Sequence, residues 1–344
     1  MATVLVSGAG GYIGTLLCEA LLKDGHTVLG LDRYFFGKDK LGAVADNPNF
    51  RLLVDDTRFF DPKILQGVEC LFDLAGLSND ASAEIDPQLT VSINTNGAIR
   101  MAKLAKEAGV RRYIYSSSAS VYGQGKKRAL REGDELHPQT QYALSKVAVE
   151  EAVFPLNSPD FLVTALRHST VFGMARRMRF DLAVNVMTMR AWKERVIYIM
   201  GGGEQWRPFV HVRDVVQAFM RVFNAEPSVI SGEVFNVGDE SQNFQIKQLA
   251  KFVVDAIPNV TTYTIPDDVD KRTYNLNFDK IRDQLGFKIN MRVPDGVREV
   301  KEGLEQGLLD PDDPTAVTLQ WYKNILEWDK RIQDLSMNGK LLAP

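Results

Sequence analysis

The stretch TVLVSGAGGYIG, residues 3–14, decides the fold of this chain. Its first five residues are an apolar run that predicts a strand, and the glycines that follow predict a tight turn. Residues 15–24 then have the composition of a helix, which Gly25 ends, and residues 27–31 predict a second strand. Because strand, glycine turn, helix and strand follow one another in this order, the stretch indicates a βαβ unit of the kind that binds dinucleotides.

The glycine turn and the acid after the second strand supply contacts that a dinucleotide needs. Glycines let the backbone approach a pyrophosphate, and the amino terminus of the following helix offers free N–H groups. Asp32 stands eighteen residues after Gly14, where its carboxylate can accept hydrogen bonds from both adenosine ribose hydroxyls. The same carboxylate would repel a 2′-phosphate, so NAD is favoured over NADP, although Arg33 beside it weakens that preference. The alternative is a glycine-rich turn without a ligand, which the flanking strand and helix disfavour.

Strands and helices continue to alternate after this unit. Further strands are predicted at residues 49–54, 70–74, 112–115 and 162–166, and a long helix at residues 87–108. The alternation predicts an α/β fold with a doubly wound parallel sheet of the Rossmann type. Its ligand site is expected at the carboxyl ends of the strands.

The alternation becomes irregular after residue 166, where we expect a smaller mixed α/β lobe to begin. Residues 1–167 are predicted to form the NAD-binding domain, and residues 168–336 a substrate lobe that returns some strands and helices to the first domain. Residues 337–344 are expected to fray. In the lobe, helices are predicted at residues 180–192, 212–223 and 246–256 and from Asp313-Pro314 onward, and strands at residues 196–200 and 233–236.

A second informative stretch runs from Arg112 to Lys146. Its apolar strand leads into serines at 116–118, and a run of good helix formers begins at Tyr142. Residues four apart on a helix share one face, so Tyr142 and Lys146 are predicted to project side by side, about 6 Å apart along the axis. An adjacent ammonium lowers the pKa of a phenol, so we expect Tyr142 to exchange a proton with a substrate hydroxyl. Ser118, at the end of the strand, is placed to hydrogen-bond the same substrate oxygen.

The spacing of Tyr142 and Lys146 is weak on its own, because Tyr34/Lys38 and Tyr122/Lys126 share it. Glycines interrupt both of those pairs and oppose a helix, which leaves Tyr142/Lys146 as the candidate. The alternative is that Tyr142 and Lys146 are surface residues of a helix without a role in chemistry.

Further cofactor contacts are predicted where the third and fourth strands end. Asp56 is placed to meet an adenine amino group, although a merely solvated acidic loop explains it nearly as well. Ala75 and Gly76 are small enough for a cofactor to lie against their backbone. The predicted cofactor contacts are Gly8, Gly11, Tyr12, Ile13, Gly14, Asp32, Asp56, Thr57, Leu74, Ala75, Tyr142 and Lys146.

Composition and charge disfavour several classes of protein. The chain has 41 basic and 44 acidic residues and a net charge of −3, which offers no broad basic field for nucleic acid; Arg176, Arg177 and Arg179 are a local exception. Cys18 and Cys70 show no metal-like clustering, so we expect no metal and a reduced, cytoplasmic setting. We also expect neither a signal peptide nor a membrane anchor, because no apolar run approaches the ~20 residues that span a bilayer.

With these features in hand, the sequence resembles the extended branch of the short-chain dehydrogenase/reductase superfamily, the NAD-dependent sugar-nucleotide epimerase/dehydratase family. The resemblance covers nearly the whole chain, from Val4 to about Glu302. Beyond the glycine loop and the Tyr142 helix, it includes the motifs SSSASVYG (116–123), TVFG (170–173), RPFVHVRDV (207–215), FNVG (235–238), DKRTY (270–274) and LGF (285–287).

The resemblance implies roles for several residues. Ser118, Tyr142 and Lys146 correspond to the catalytic serine, tyrosine and lysine, and Arg207 and Arg272 to the arginines that bind the diphosphate of a nucleotide sugar. Guanidinium forks match phosphate oxygens, although a structural salt bridge is the alternative for either arginine. Other candidates for substrate contact are Ser78 and, more weakly, Asn185. The family also implies a homodimer formed through the long helices.

Position 120 narrows the implied chemistry. Family members that eliminate water or decarboxylate the sugar carry a Glu there, and those that invert C3 and C5 carry a Cys, whereas this chain has Ser120 beside Ala119. The remaining residues suit oxidation of a sugar hydroxyl and return of the hydride, so we expect a 4-epimerase. The alternatives are a nucleotide-sugar C4 dehydrogenase or 4-ketoreductase with net NAD(H) turnover and, less favoured, a non-catalytic NAD-binding module. Two departures from the family are Thr170, where Asn is common, and the sequence LSND at residues 77–80.

Overall fold

The computed structural model describes residues 1–125, 129–266, 272–337 and 339–341. Its strands are β1 Thr3–Ser7, β2 Thr27–Asp32, β3 Phe50–Val54, β4 Cys70–Asp73, β5 Arg112–Ser118, β6 Leu162–His168, β7 Thr170–Phe172, β8 Val196–Met200, β9 Trp206–His211, β10 Glu233–Val237, β11 Asn243–Gln245 and β12 Thr261–Ile265. Its helices are α1 Gly14–Lys23, α2 Asp80–Ala83, α3 Pro87–Thr90, α4 Ala98–Glu107, α5 Gln141–Val153, α6 Ala183–Glu194, α7 Val212–Asn224, α8 Pro227–Ile230, α9 Ile246–Ala256, α10 Asp279–Leu285, α11 Val293–Glu305 and α12 Thr318–Leu335.

Seven strands within the described residues form the central sheet, in the order β10-β6-β5-β4-β1-β2-β3. All neighbouring pairs are parallel, which confirms the predicted doubly wound α/β sheet. The chain winds outward from β1 through β2 and β3 on one side, and through β4, β5 and β6 on the other. The topological switch therefore lies between β1 and β4, where sheets of this kind bind ligands.

Both faces of the central sheet are covered, because successive side chains of a strand point to opposite sides. Val4 and Val6 of β1 pack on the face covered by α1 and α7, with Phe219 of α7 among their neighbours in that core. Leu5 points to the other face, into the core that contains Met101 of α4. Burying each such apolar side chain is worth about 1.5–3 kcal/mol.

The second half of the chain builds smaller sheets beside the carboxyl edge of the main sheet. One is β11-β9-β7 and the other is the parallel pair β12-β8. A third core of α6, α9 and α11 side chains, with Val184, Leu249 and Val297 among them, supports these sheets. From this half β10 returns to the edge of the central sheet, where it pairs with β6. The division of the chain at residue 167 stays a prediction.

The bounds of several elements differ from the sequence predictions. The predicted helix at 87–108 contains a π-helical stretch, Val91–Gly97, in which the Asn94 side chain hydrogen-bonds the backbone of Leu77 in both directions, at 2.7 and 3.1 Å. Strand β5 continues to Ser118 because all seven of its residues pair with β6. Asp313 caps only a short turn, and the main C-terminal helix begins at Thr318.

Three further observations concern the cysteines, the search for metal sites and membrane-spanning helices, and residues 337–344. Cys18 and Cys70 are buried free thiols. Across the described ranges, no cluster of potential metal ligands occurs and no helix is long and apolar enough to cross a membrane. In the tail that was predicted to fray, Met337 and Lys340 form an antiparallel bridge, while residues 338 and 342–344 lie outside the described residues.

Candidate active site

A cavity of about 680 Å³ opens at the carboxyl ends of the central strands, between the main sheet and the smaller sheets. The predicted dinucleotide contacts all line it, and so do the three residues with predicted catalytic roles. Those lining residues are Gly8, Gly11, Tyr12, Ile13, Gly14, Asp32, Asp56, Thr57, Leu74, Ala75, Ser118, Tyr142 and Lys146.

The glycine loop has the shape that its sequence predicted. Gly8 has a φ of +72°, and a Cβ atom on it would lie 2.9 Å from the carbonyl carbon of Leu74. A Cβ atom on Gly14 would collide with the carbonyl oxygen of Gly8. Glycine is therefore needed at both positions to bring the start of α1 against the ends of β1 and β4.

The Asp32 carboxylate lies at the end of β2 and is held by backbone groups. It accepts hydrogen bonds from the N–H of Gly10, at 3.0 Å, and of Tyr34, at 2.6 Å. Burial raises the pKa of this carboxyl group, although these two hydrogen bonds oppose the shift. Asp32 is thus fixed beside the glycine loop, and its contact with the adenosine ribose stays a prediction.

Asp56 lines the cavity but is already engaged by a cation. Its carboxylate accepts from the guanidinium of Arg58 at 2.8 and 2.9 Å. Burial alone would raise the pKa of Asp56, but the hydrogen bonds from Arg58 outweigh it, so the pKa is lowered. The adenine contact assigned to Asp56 stays a prediction.

Strand β5 and helix α5 bring Ser118, Tyr142 and Lys146 to one wall of the cavity. Thr140 starts α5 by accepting a hydrogen bond from the Ala143 N–H, at 3.2 Å. The Lys146 ammonium donates to the carbonyl oxygen of Ser116 in β5, at 2.6 Å. Two sequence-distant elements therefore fix the lysine next to the predicted base.

The pKa of Tyr142 differs from the expectation that Lys146 would lower it. Burial raises the pKa of Tyr142 to about 12, with Asp80 acting in the same direction and Arg179 and the Ser118 hydroxyl against it. Lys146 was expected to lower this pKa, but its ammonium is bonded to Ser116 and lies 5.4 Å from the centroid of the Tyr142 ring. Burial also lowers the pKa of Lys146 to about 8.

The predicted substrate contacts fall into two groups. Ser78, Arg207 and Arg272 line the cavity, and Arg272 forms an ion pair with Asp80, with 2.6 Å between its Nη1 and Oδ2. Arg207 packs with its guanidinium carbon 5.2 Å from the centroid of the Tyr274 ring and donates to the carbonyl oxygens of Trp206 and Arg272. Asp270 and Lys271 of the DKRTY motif lie outside the described residues.

Asn185 is not among the residues that line the cavity, and its role as a substrate contact stays a prediction. The side chain is fully buried in α6. Its oxygen accepts from the Gly173 N–H at 2.9 Å, and its amide donates to the Arg179 carbonyl oxygen at 3.0 Å and to the Tyr12 hydroxyl at 3.2 Å. These bonds tie the loop at residues 173–179 to Tyr12 of the glycine loop.

Sequence reasoning missed several cavity residues that belong to distant segments. Arg179 forms an ion pair with Asp181 at 2.8 Å and donates to the carbonyl oxygen of Ser78 at 3.1 Å. Arg177 and Tyr322 also line the cavity. The only sequence signal was the run of arginines in an otherwise balanced chain, since Tyr322 comes from a helix far beyond the recognised motifs.

The parallel sheet, the glycine loop after β1 and the acid at the end of β2 define a dinucleotide-binding α/β protein. More specifically, a model of the NAD dependent epimerase/dehydratase family matches residues 4–238, and the chain belongs to that family. NAD is the cofactor of the family, and the chain fits it, because the loop in which Gly8 and Gly14 leave no room for a side chain lies beside the fixed Asp32 carboxylate.

Individual relatives agree with this assignment. The UDP-glucose 4-epimerase of Mycolicibacterium smegmatis is 29% identical over 310 residues, which cover 87% of this chain and 97% of that protein. The UDP-glucuronate 4-epimerase of Thermodesulfobacterium geofontis is 25% identical over 265 residues, 74% of this chain and 80% of that protein. Among solved structures, MoeE5 in complex with UDP-glucose and NAD superposes with a TM-score of 0.78 at 25% identity, covering 90% of this chain and 100% of that one.

Proposed function

We propose that this protein is an NAD-dependent nucleotide-sugar epimerase that inverts C4 through a transient 4-keto sugar. The observation that carries the proposal is that Ser118, Tyr142 and Lys146 line the same cavity as the glycine loop. The names of the two 4-epimerases, one for UDP-glucose and one for UDP-glucuronate, support it and make UDP-sugars the first substrates to test.

In this proposal Tyr142 removes the proton of the C4 hydroxyl while Ser118 holds the oxygen. Because burial raises the pKa of Tyr142 to about 12, its phenolate needs a nearby cation. Arg179 lowers this pKa, and the Lys146 ammonium lies 5.4 Å from the ring centroid. NAD, which the glycine loop and Asp32 would hold, would supply the hydride acceptor and donor that this exchange at C4 needs. Tyr142 then gives the proton back to the oxygen, so the chain ends in the protonation state in which it began.

The residues beside Ser118 favour this exchange over elimination of water or loss of a carboxylate. Ala119 has no acidic group, and Ser120 is 5% exposed with a hydroxyl that has no hydrogen-bond partner among the described residues. Elimination of water or loss of a carboxylate needs a further acid or base at the sugar. The cavity wall next to Ser118 offers none at these two positions.

The cavity lining also supplies positive charge for a substrate diphosphate. Arg207 is 7% exposed and lines the cavity together with Arg272, which Asp80 holds in place. Guanidinium groups in a partly dry site bind phosphate oxygens more strongly than they do in water. These arginines lie on the segments that carry the two family motifs, which supports their assignment to the nucleotide diphosphate.

The proposal is tested by incubating the purified protein with a panel of UDP-, dTDP-, GDP- and CDP-sugars. UDP-glucose and UDP-glucuronic acid are included, and the products are separated chromatographically. We expect a mixture of C4 epimers and no lasting change of absorbance at the reduced-nicotinamide band. Stoichiometric production of reduced nicotinamide would instead identify a C4 dehydrogenase, and its consumption a 4-ketoreductase. No product with any sugar in the panel would favour a non-catalytic NAD-binding module.

We also propose that the protein acts as a homodimer in the cytoplasm. Two large apolar side chains on the long helices are exposed, Val91 at 38% and Leu144 of α5 at 48%, which supports an interface there. The buried free thiols of Cys18 and Cys70 suit a reducing compartment. Light scattering should give twice the mass of the chain, and Leu144→Glu should give the mass of one chain; a monomeric wild-type protein would contradict the proposal.

A further inference from the structure

The C-terminal helix α12 lies across one end of the cavity. The indole N–H of Trp321 donates to the carbonyl oxygen of Phe35, at 2.7 Å. The ring of Tyr322 lines the cavity and packs against Phe36, with 5.4 Å between ring centroids. Since Phe35 and Phe36 follow Asp32 closely in the chain, this is the end of the cavity where the cofactor is expected.

Arg177 is buried between α12 and this aromatic cluster. Its side chain is 2% exposed, and its Nη2 donates to the Thr318 hydroxyl at 2.8 Å. The guanidinium carbon lies 3.7 Å from the centroid of the Phe36 ring. Its Nε is buried without a hydrogen-bond partner among the described residues. The guanidinium is therefore fixed beside the cavity, which Arg177 lines.

The nearby carboxylates do not neutralise Arg177. Asp181 is paired with Arg179 at 2.8 Å, and Asp32 is held by backbone N–H groups. Burial and the neighbouring Arg179 lower the pKa of Arg177 to about 10, as expected for a cation without a matching anion. A buried guanidinium is stable only when an anion or several acceptors compensate it, so the cavity beside Arg177 favours an anionic group.

We propose that Arg177, held by Thr318 and Phe36, binds the diphosphate of the dinucleotide, so that α12 forms part of the cofactor site and helps to retain the cofactor. This inference depends on the proposed function in one respect, namely that NAD binds in this cavity. Arg177 contacts Phe36, which follows Asp32 closely in the chain, and this contact favours the cofactor over the sugar nucleotide as its ligand. A 2′-phosphate is disfavoured because the Asp32 carboxylate would repel it.

The test measures nucleotide binding and does not depend on epimerase activity. Wild type and Arg177→Met are stripped of nucleotide, and the affinities for ADP, adenosine and UDP are measured by calorimetry. We expect Arg177→Met to weaken ADP binding at least tenfold and adenosine binding less than twofold, because only ADP carries the diphosphate. The affinity for UDP should stay within twofold, and the affinity for ADP should lose part of its salt dependence.

Matched variants separate a ligand contact from a structural role. Arg176→Met removes the adjacent arginine, which is exposed and does not line the cavity, and it should bind ADP like the wild type. Thr318→Val removes the hydroxyl that holds Arg177 and should weaken ADP binding two- to fivefold. If Arg177→Met fails to fold, Arg177→Lys and Thr318→Val carry the same comparison.

Three results would overturn the proposal. The first is unchanged ADP affinity in Arg177→Met, and the second is an equal loss of ADP and adenosine affinity, which means that Arg177 only supports the fold. The third is a loss confined to UDP, which would assign the residue to the substrate diphosphate. Failure of the sugar panel to yield an epimer would leave the ADP measurement intact, so the two proposals fail separately.

Discussion

The ammonium nitrogen of Lys146 lies 5.4 Å from the centroid of the Tyr142 ring and donates its hydrogen bond to Ser116 instead. The two residues are one helical turn apart, and a single strand, β5, supplies both the carbonyl that anchors the lysine and the Ser118 hydroxyl at its end. The lysine is therefore positioned by the sheet, while the tyrosine is left facing the cavity.

Replacing Tyr142 by Phe should lower kcat at least a thousandfold, because the proposed base is removed while the ring remains. NAD content after purification should not change. Tyr115→Phe is a matched control: its hydroxyl is buried without a partner among the described residues, and its ring, 4.7 Å from the Lys146 ammonium, is kept. Activity of Tyr142→Phe near that of Tyr115→Phe would rule out the proposed role.

Lys146 should make stability depend on pH in a definite direction. Burial lowers its pKa to about 8 from a usual value of 10.5, so between these values the unfolded chain binds more protons than the folded chain. The free energy of unfolding therefore gains a term that rises with pH across this window. We expect wild type to gain about 3 kcal/mol relative to Lys146→Met from the bottom of the window to its top.

This difference is measured by urea unfolding of both proteins at a series of pH values. Taking the difference between the two proteins cancels the titration of groups that they share. Parallel pH dependences for wild type and Lys146→Met would show that Lys146 does not titrate in this window.

Position 120 should prove dispensable for epimerisation. Ser120→Ala removes a buried hydroxyl that has no partner among the described residues, so kcat should stay within about threefold of wild type. Ser118→Ala should lower kcat about 10- to 100-fold, because it removes the proposed hydrogen bond to the reacting oxygen. A larger loss in Ser120→Ala than in Ser118→Ala, by the chromatographic assay, would reverse these two assignments.

Arg207→Met should raise the KM for the preferred UDP-sugar about tenfold or more and change kcat less, since a diphosphate contact persists from ground state to transition state. Arg213→Met is the control, because the Arg213 side chain is 61% exposed and does not line the cavity. Equal effects of the two substitutions on KM would indicate a general charge effect and not a specific contact.

Gly14→Ala should abolish NAD retention and destabilise the fold, because a Cβ atom there collides with the carbonyl oxygen of Gly8. Gly133→Ala is the matched substitution, since a Cβ atom at that position meets nothing within 4 Å. We expect Gly133→Ala to change the free energy of unfolding by less than about 1 kcal/mol. Thermal melting and nucleotide content of the two purified variants decide the comparison.

Local patterns were sufficient for the βαβ unit and for the helix that carries Tyr142. Apolar runs, glycines and helix formers act over a few residues, so residues 3–14 and Gln141–Val153 could be assigned from their own sequence. The strand after Arg112 was predicted too short, because its last residues, up to Ser118, are serines that gain strand structure only by pairing with β6. Strand pairing depends on both segments, so the sequence of β5 alone does not show where the strand ends.

Contacts between distant segments account for what sequence analysis missed. Asn185 is oriented by Tyr12 and Gly173 and is fully buried, which its own sequence motif could not reveal. Asp80 and Arg272 are paired across 192 residues, so neither motif alone could reveal that the arginine is already engaged. Arg177 is held by a hydrogen bond to Thr318, which lies 141 residues further along the chain.

The sequence by itself determined the α/β fold, the glycine loop and the spacing that puts Tyr142 and Lys146 on one face of a helix, because these depend on steric and hydrogen-bonding rules that act within a few residues. Only the tertiary structure decided the electrostatics. Burial, which depends on the whole fold, raises the pKa of Tyr142 and lowers the pKa values of Lys146 and Arg177.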